Sequence, residues 1–343
     1  MKAVIRENAE KWSLRTVDMP VPEPGEKDVL VRIRATGVCN TDASILLNKY
    51  VGRKPVPIPM ILGHEGAGEI VDAGSHVDKS RIGERVSLEP IAGCGRCCQC
   101  LIGNKNMCAD WDHIGITRHG TFAEYIAVPS TQAHIIAETL DFKVAAIAEP
   151  FGLVVRSLEQ ARMMLGETVA IVGPGSLGIL HLLAFKAAGA SRVIMVGLEV
   201  DKKRFEIAKS LGADYSVMAD LEDPVAAVME YTNGRGADVV IETANSPRAT
   251  TLAFELAAAH GRVILFGLHP KAEFSPVQML RKAVTAYGDV GQVSRHFLNA
   301  LKIMESGKID FTDIISAGFS LDQADQAFAD AREGNAVKVV FEP

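Results

Sequence analysis

The sequence predicts an α/β protein with two domains, a β-rich domain followed by a doubly wound parallel sheet. At 343 residues the chain is long for a single compact domain. Up to about residue 150 it shows short strands separated by Gly and Pro. From residue 151 to about 290, continuous apolar runs alternate with helical segments, which is typical of a parallel sheet covered by helices on both faces.

The first part of the chain has the pattern of a half-buried strand at residues 29–35, where apolar and polar side chains alternate. Shorter strands are predicted at residues 69–71, 85–88 and 122–128. Several short strands separated by Gly and Pro indicate a small barrel or a sandwich.

The second part of the chain has buried strands, predicted at residues 168–172, 192–196, 238–242 and 262–267. The residues between these strands predict helices, so the segment reads as one doubly wound domain.

The tail of the chain predicts two helices, at residues 293–306 and 321–332, and a last strand at residues 336–341. The pattern alone leaves two alternatives open. The tail either extends the second domain or folds back to complete the first.

Composition restricts the partners of the chain. The formal net charge is −6, and no block of Lys and Arg is long enough to form a phosphate-binding face. We therefore expect no nucleic acid partner. We also expect no membrane partner, because the uncharged stretch at residues 168–185 contains glycines that fit a strand, a turn and a helix better.

The cysteines point to metal binding in a cytoplasmic protein. Five of the six lie in one loop, at residues 94–108, whereas a secreted disulfide framework spreads its cysteines through a much shorter chain. The charged first residues also lack the apolar core of a secretory signal.

A glycine-rich motif, Gly173-Pro174-Gly175-Ser176-Leu177-Gly178, lies between a predicted strand and a predicted helix. Its first glycine permits a tight turn, the second admits a pyrophosphate, and the third lets the helix pack on the strand. Glu199 follows at the end of the next strand, where a carboxylate accepts hydrogen bonds from the adenosine ribose and repels a 2′-phosphate. The motif therefore predicts NAD rather than NADP, although Lys203 and Arg204 stand close enough to pair with a phosphate.

Four cysteines have the spacing of a structural zinc site: Cys94, Cys97, Cys100 and Cys108. An iron–sulfur cluster is the alternative, but the longer gap before Cys108 and the lack of a second cluster motif favour zinc. We expect the extra thiol, Cys98, to be a bystander.

Three further residues carry ligand chemistry: Cys39, His64 and Glu149. They are far apart in sequence, so spacing alone does not join them. Taken singly, each has an ordinary explanation, as a buried small side chain, a hydrogen-bonded loop histidine and a helix-capping acid.

The order of these motifs is familiar. GVCNTD at residues 37–42, GHEGAGEIV at 63–71, the four-cysteine loop, AEP at 148–150 and GPGSLG at 173–178 resemble the zinc-dependent medium-chain alcohol and polyol dehydrogenases. The resemblance covers essentially the whole chain and is greatest to the sorbitol and threonine dehydrogenase branches.

The resemblance implies a fold and domain boundaries. In that family a GroES-like β-barrel is completed by the C-terminal segment, and the cofactor binds to a Rossmann domain. It therefore implies a catalytic domain formed by residues 1–150 and 291–343 and an NAD-binding domain formed by residues 151–290.

The resemblance also implies two zinc ions, one catalytic and one structural. The four cysteines of the loop match the structural ligands. Cys39 and His64 match catalytic zinc ligands, and Glu65 and Glu149 match two acids that complete the catalytic site or exchange at it.

Other matched positions imply roles around the zinc and the cofactor. Thr41 matches the hydroxyl that takes the substrate proton, and Asp42 the acid that orients the ligand histidine. Leu177, Glu199 and Arg204 match cofactor contacts.

The chain departs from the family pattern at two positions. Ser44 stands where many members have a proton-relaying histidine, so the relay must pass through Ser44, water or another group. Asn40 replaces a usual glycine, which leaves the substrate in doubt.

These motifs predict a zinc- and NAD-dependent enzyme that oxidises a secondary alcohol of a polyol, sugar or amino alcohol. One alternative is a metal-free, NADPH-dependent quinone or enone reductase of the same fold, which would not need the ligand residues. Another is a nucleotide-binding structural protein that retains the zinc loop. The family also implies a homotetramer or homodimer joined through the edge of the nucleotide sheet.

Overall fold

The computed structural model describes residues 1–288, 290–316, 318–334 and 336–343. The chain divides into two compact units. Unit 1 consists of Met1–Gly152 and Gly291–Pro343, and unit 2 consists of Leu153–Val290. Within the described ranges, no helix is both long enough and apolar enough to cross a membrane.

Strands occur in both units of the chain. In chain order they are β1 (Lys2–Arg6), β2 (Leu14–Asp18), β3 (Asp28–Gly37), β4 (Met60–Ile61), β5 (Glu65–Ala73), β6 (Arg85–Leu88), β7 (Ile91–Ala92), β8 (Asp112–His113), β9 (Tyr125–Pro129), β10 (Ala133–Ile135), β11 (Thr168–Val172), β12 (Arg192–Gly197), β13 (Tyr215–Met218), β14 (Ala237–Glu242), β15 (Ala257–Leu265), β16 (Thr285–Gly288) and β17 (Val340–Phe341).

Most of the longer helices lie in the second half of the chain. In chain order the α-helices are α1 (Asn40–Leu46), α2 (Cys98–Leu101), α3 (Phe142–Ala146), α4 (Ala148–Ala161), α5 (Ser176–Ala187), α6 (Lys202–Ser210), α7 (Pro224–Tyr231), α8 (Pro247–Leu256), α9 (Pro276–Lys282), α10 (Ser294–Glu305) and α11 (Ala324–Glu333).

Unit 1 is built around the long strand β3. This strand pairs antiparallel with β5, β9 and β17. Val29, Val31 and Ile33 on β3 are buried in one apolar cluster with Ile70 of β5 and Val86 of β6. The alternation predicted for residues 29–35 thus fixes which side chains of β3 enter this core.

The tail of the chain belongs to unit 1. Strand β17 pairs with β3 through Val340–Gly37 and Phe341–Thr36. The prediction of a strand over residues 336–341 is wrong at its start. Lys338 forms only an isolated bridge with Ile315, so the ladder on β3 begins at Val340.

Unit 2 contains a parallel sheet with the order β13-β12-β11-β14-β15-β16. Numbered within the unit, this order is 3-2-1-4-5-6, the doubly wound arrangement in which ligands bind at the carboxyl ends of the strands. All five residues of β11 are buried, as its continuous apolar run predicted. The doubly wound sheet is therefore confirmed.

Candidate active site and metal centres

Cys39, His64 and Glu65 lie together in unit 1. One ligand atom from each lies within 4.8 Å of the other two. Cys39 precedes α1, His64 precedes β5, and Glu65 is the first residue of β5, so two neighbouring segments supply all three. Sulfur, nitrogen and oxygen donors of these types bind zinc in proteins.

Asp42 ties the two segments together. Its Oδ2 accepts a hydrogen bond from the Cys39 amide at 2.9 Å, and its Oδ1 accepts one from the Gly63 amide at 3.2 Å. The same Oδ1 lies 3.6 Å from His64 Nδ1. Asp42 therefore attracts Nδ1 and leaves Nε2 as the ring nitrogen for a metal, which is the role that the resemblance implied.

The charges of this group fit a cation. Burial lowers the pKa of His64, but Asp42 and Cys39 outweigh burial and raise this pKa well above its usual value. Since a buried acid and a thiol favour positive charge at this point, a divalent cation suits the donor set.

Lys338 was missed by the sequence analysis. Its Nζ donates to Glu65 Oε1 at 2.5 Å and to the Val38 carbonyl at 3.0 Å, and both charged side chains are almost fully buried. Gly37, between them on β3, leaves the space, because a Cβ there would lie 2.1 Å from Glu65 Oε2. A single lysine within the apolar run at residues 336–341 was the available signal.

Glu149 lies in the first turn of α4 and is buried. It is not among the three residues whose ligand atoms lie within 4.8 Å of one another. Burial raises the pKa of Glu149 to about 7; the charge of His64 opposes this rise, and that of Glu65 adds to it. Glu149 thus interacts electrostatically with the group, and its role as a ligand stays a prediction.

The other matched residues lie on α1. Thr41 and Ser44 are both partly exposed on this helix, and Asn40 is its first residue. The Thr41 amide donates a hydrogen bond to Cys39 Sγ at 3.5 Å, so the backbone of Thr41 lies beside the thiol.

An aromatic group borders His64. The His64 and His113 rings pack edge-on with their centroids 5.4 Å apart. The Trp111 ring packs edge-on against His113 with the centroids 5.5 Å apart. Burial lowers the pKa of His113 to about 3, so this ring is neutral at physiological pH. Sequence analysis assigned neither residue a ligand or catalytic role, since nothing in their local pattern distinguishes them.

The four cysteines of the loop form a second group. Their sulfur atoms all lie within 4.8 Å of one another: Cys94, Cys97, Cys100 and Cys108. The Cys97–Cys108 Sγ distance is 3.8 Å. It matches the edge of about 3.8 Å of a tetrahedron with Zn–S bonds of about 2.3 Å, so the arrangement fits the predicted structural zinc.

The surroundings also fit a cysteine-bound cation. Hydrogen bonds from the backbone amides of Arg96 and Cys97 lower the pKa of Cys94 to about 6, whereas desolvation raises that of Cys100 to about 12. Deprotonation of all four cysteines at this separation therefore needs a compensating cation. Cys98 is exposed and lies outside the group, in agreement with its predicted bystander role.

A buried acid anchors the cysteine loop. Glu89 Oε1 lies 2.7 Å from Lys105 Nζ, in the loop between Cys100 and Cys108. Its Oε2 lies 2.9 Å from His134 Nε2 on β10. The loop is thereby tied to the main sheet of unit 1.

The glycine motif connects β11 to α5 in unit 2. Gly173 has φ +105°, a conformation that favours glycine. A Cβ at Gly178 would lie 2.0 Å from the Gly173 carbonyl oxygen, which explains the close approach of helix and turn. A Cβ at Gly175 would meet no atom of the described residues within 4 Å, so the space before the α5 N-terminus suits a pyrophosphate. Leu177 lies in the first turn of α5.

Glu199 and Arg204 follow β12. Glu199 is exposed one residue after Leu198, in the short 3-10 helix Glu199–Asp201. Arg204 lies on α6, and its Nη1 is 3.1 Å from Asp201 Oδ1. The structure therefore places Glu199 at the carboxyl edge of the sheet, while Arg204 pairs with an acid of its own segment.

Comparisons with known proteins match both parts of the chain. Residues 25–138 match the model of the alcohol dehydrogenase GroES-like domain, and residues 176–306 match that of the zinc-binding dehydrogenases. The predicted fold class, a GroES-like β-barrel domain plus a Rossmann domain, is confirmed.

Relatives match over the full length. An L-threonine 3-dehydrogenase of Bacillus velezensis is 31% identical over 100% of this chain and 99% of its own length. A sorbitol dehydrogenase of Bacillus subtilis is 31% identical over 100% of this chain and 97% of its own length.

A solved structure matches the fold in the same way. The crystal structure of a zinc-binding dehydrogenase from Sinorhizobium meliloti 1021, bound to NADP, is 33% identical with a TM-score of 0.90. The match covers 100% of this chain and 99% of that chain.

Proposed function

We propose, since the chain belongs to the zinc-dependent medium-chain dehydrogenase family, that it oxidises a secondary alcohol of a polyol, sugar or amino alcohol to a ketone. Bound NAD would supply the hydride acceptor, and the proton would leave through groups of the protein. The relatives named for threonine and sorbitol support an alcohol of this polar class.

The observation that carries the proposal is the convergence of Cys39, His64 and Glu65 in front of Asp42. A purely structural histidine would not need a thiol and a second acid beside it. A zinc ion held by this group would supply a Lewis acid that makes a bound hydroxyl more acidic.

The residues of α1 handle the proton. Thr41 Oγ1 would accept the proton of the substrate hydroxyl, since the residue begins beside the Cys39 thiol. Ser44, partly exposed one helical turn later, would pass it towards water. General base assistance of this kind typically contributes about 10²–10⁴-fold to a rate.

Two acids are available to complete the ligand set. Glu65 accepts a hydrogen bond from Lys338, whereas burial raises the pKa of Glu149 to about 7 against the opposing charges of His64 and Lys338. We propose that Glu65 stays hydrogen-bonded to Lys338, and that Glu149 approaches the zinc ion when the metal requires a fourth protein donor.

NAD supplies the hydride acceptor. The open space at Gly175 suits its pyrophosphate, and the exposed Glu199 suits hydrogen bonds to its adenosine ribose. The relative from Sinorhizobium meliloti 1021 is bound to NADP in its crystal structure, so the proposed preference for NAD rests on Glu199 of this chain.

Substitution of the ligand residues tests this proposal. We expect Cys39→Ser and His64→Ala to abolish turnover, while NADH binding, measured by fluorescence titration, stays close to that of the unsubstituted protein. His76→Ala, at an exposed histidine, is the matched control and should keep full activity. Full turnover in either ligand variant would refute the zinc role.

A further inference from the structure

Asp220 lies at the carboxyl edge of the sheet, in contact with the backbone of Glu199, the acid that is proposed to contact the cofactor ribose. Both of its carboxylate oxygens face the Glu199 amide, Oδ1 at 2.9 Å and Oδ2 at 3.2 Å. Asp220 follows β13, the edge neighbour of β12, so a residue 21 positions away in sequence holds the backbone of Glu199.

A second acid shapes the same segment from within. Asp201 Oδ2 accepts from the Leu198 amide at 3.1 Å, and Asp201 Oδ1 pairs with Arg204 at 3.1 Å. The backbone on both sides of the Leu198–Glu199 peptide is therefore held by carboxylates. The guanidinium that could pair with a phosphate already pairs with Asp201.

The segment lies beside the glycine motif. A Cβ at Gly197, the last residue of β12, would lie 2.7 Å from Pro174 Cδ, inside the turn between Gly173 and Gly175. The chain following β12 therefore starts in contact with the turn that suits the pyrophosphate, which is where an adenosine ribose would be found.

We propose that Asp220 is a specificity-determining positioning residue, which fixes the Glu199 backbone and adds a second negative charge against a 2′-phosphate. The inference rests on the proposed use of NAD. Asp220 does not itself touch the ribose; it acts through Glu199.

Exposed cations of the same segment oppose this effect. Lys202 and Lys203 lie at the start of α6 and are exposed. Charges within about one Debye length of a bound 2′-phosphate interact with it measurably at moderate ionic strength. The balance between these lysines and the two acids therefore sets the discrimination between NAD and NADP.

Binding measurements on the whole protein test the inference without relying on turnover. Dissociation constants for NADH and NADPH are compared in the unsubstituted protein, in Asp220→Asn and in Glu199→Ala. We expect NADH to bind more tightly to the unsubstituted protein, and Asp220→Asn to reduce the NADPH/NADH ratio of dissociation constants about two- to fivefold, the size of one exposed charge contact.

Glu222→Gln is the matched control, because it removes one charge from the same loop without touching the Glu199 amide. The Glu222 Oε1 atom accepts from Met218 at 3.2 Å, a bond that an amide oxygen preserves. Asp220→Asn should weaken NADH binding in the otherwise unsubstituted protein and leave it unchanged in a Glu199→Ala background, since no ribose-binding side chain is then left to position.

The outcomes separate the inference from the function on which it rests. If the unsubstituted protein prefers NADPH, the NAD assignment fails and the inference fails with it. If it prefers NADH but Asp220→Asn changes the ratio no more than Glu222→Gln does, the inference alone is overturned.

Discussion

Lys338 shows what a single residue contributes when its partner comes from another part of the chain. It lies 273 positions from Glu65, and the two side chains meet because β17 and β5 both pair with β3 near Gly37. The proposed ligands Cys39, His64 and Glu65 could be singled out from the sequence because they lie in motifs that resemble those of a known family. The lysine was not, because its role depends on a strand register that the sequence pattern does not fix.

Replacing Lys338 tests the energetic weight of this pair. Lys338→Met leaves the buried Glu65 carboxylate without its cation, so we expect the free energy of unfolding to fall by about 3–5 kcal/mol. Urea denaturation followed by circular dichroism measures the change.

Lys79→Met is the control for the loss of a lysine. Lys79 pairs with Asp72 at 3.7 Å on the surface, with both side chains more than half exposed, and such pairs contribute at most about 1 kcal/mol. Equal losses in the two variants would show that burial gives the Lys338 pair no special weight.

At the scale of elements, periodicity predicted most strands and helices, and pairing decided where they end. The buried run at residues 168–172 coincides with β11, because four apolar residues in a row after Thr168 suit a strand that is covered on both faces. The strand predicted at 336–341 shortens to Val340–Phe341, since pairing with β3 starts only there. The local sequence thus predicts that a strand forms and is buried, but not the residue at which its pairing with a neighbouring strand starts.

Substitutions at two glycines of the motif, Gly175 and Gly178, should affect cofactor binding and thermal stability differently. Gly178→Ala should lower the thermal midpoint, because its Cβ would lie 2.0 Å from the Gly173 carbonyl oxygen. Gly175→Ala should leave the midpoint nearly unchanged but weaken NADH binding about tenfold or more, because its methyl group would occupy the space for the pyrophosphate. Thermal denaturation without cofactor and NADH titration measure both effects. Unchanged NADH binding in Gly175→Ala would contradict this assignment of the space.

The cysteine loop provides a test with a neighbouring control. Cys97→Ser removes one of four ligands, so the zinc content of the purified protein should fall from about two ions per chain to about one, with a lower thermal midpoint. Cys98→Ser, at the exposed thiol beside it, should change neither quantity. A loss of zinc in Cys98→Ser would assign that thiol to the ligand set instead.

At the scale of the whole molecule, the chain builds unit 1 from its two ends and unit 2 from its middle. Pattern analysis alone left the tail unassigned, because helices and a strand after residue 290 suit either domain. The functional division into a catalytic and a cofactor domain stays a prediction, as do the homo-oligomer and the cytoplasmic location. The substrate also stays open, since the full-length relatives include enzymes named for threonine and for sorbitol.

The most direct test of the central claim is the reduction of NAD by a panel of polyols, vicinal diols and threonine, followed by absorbance with and without a zinc chelator. We expect at least one of these alcohols to reduce NAD faster than NADP, and the chelator to abolish the reaction. Reduction that survives complete removal of zinc, or no reduction with any alcohol in protein that contains no zinc, would contradict the account.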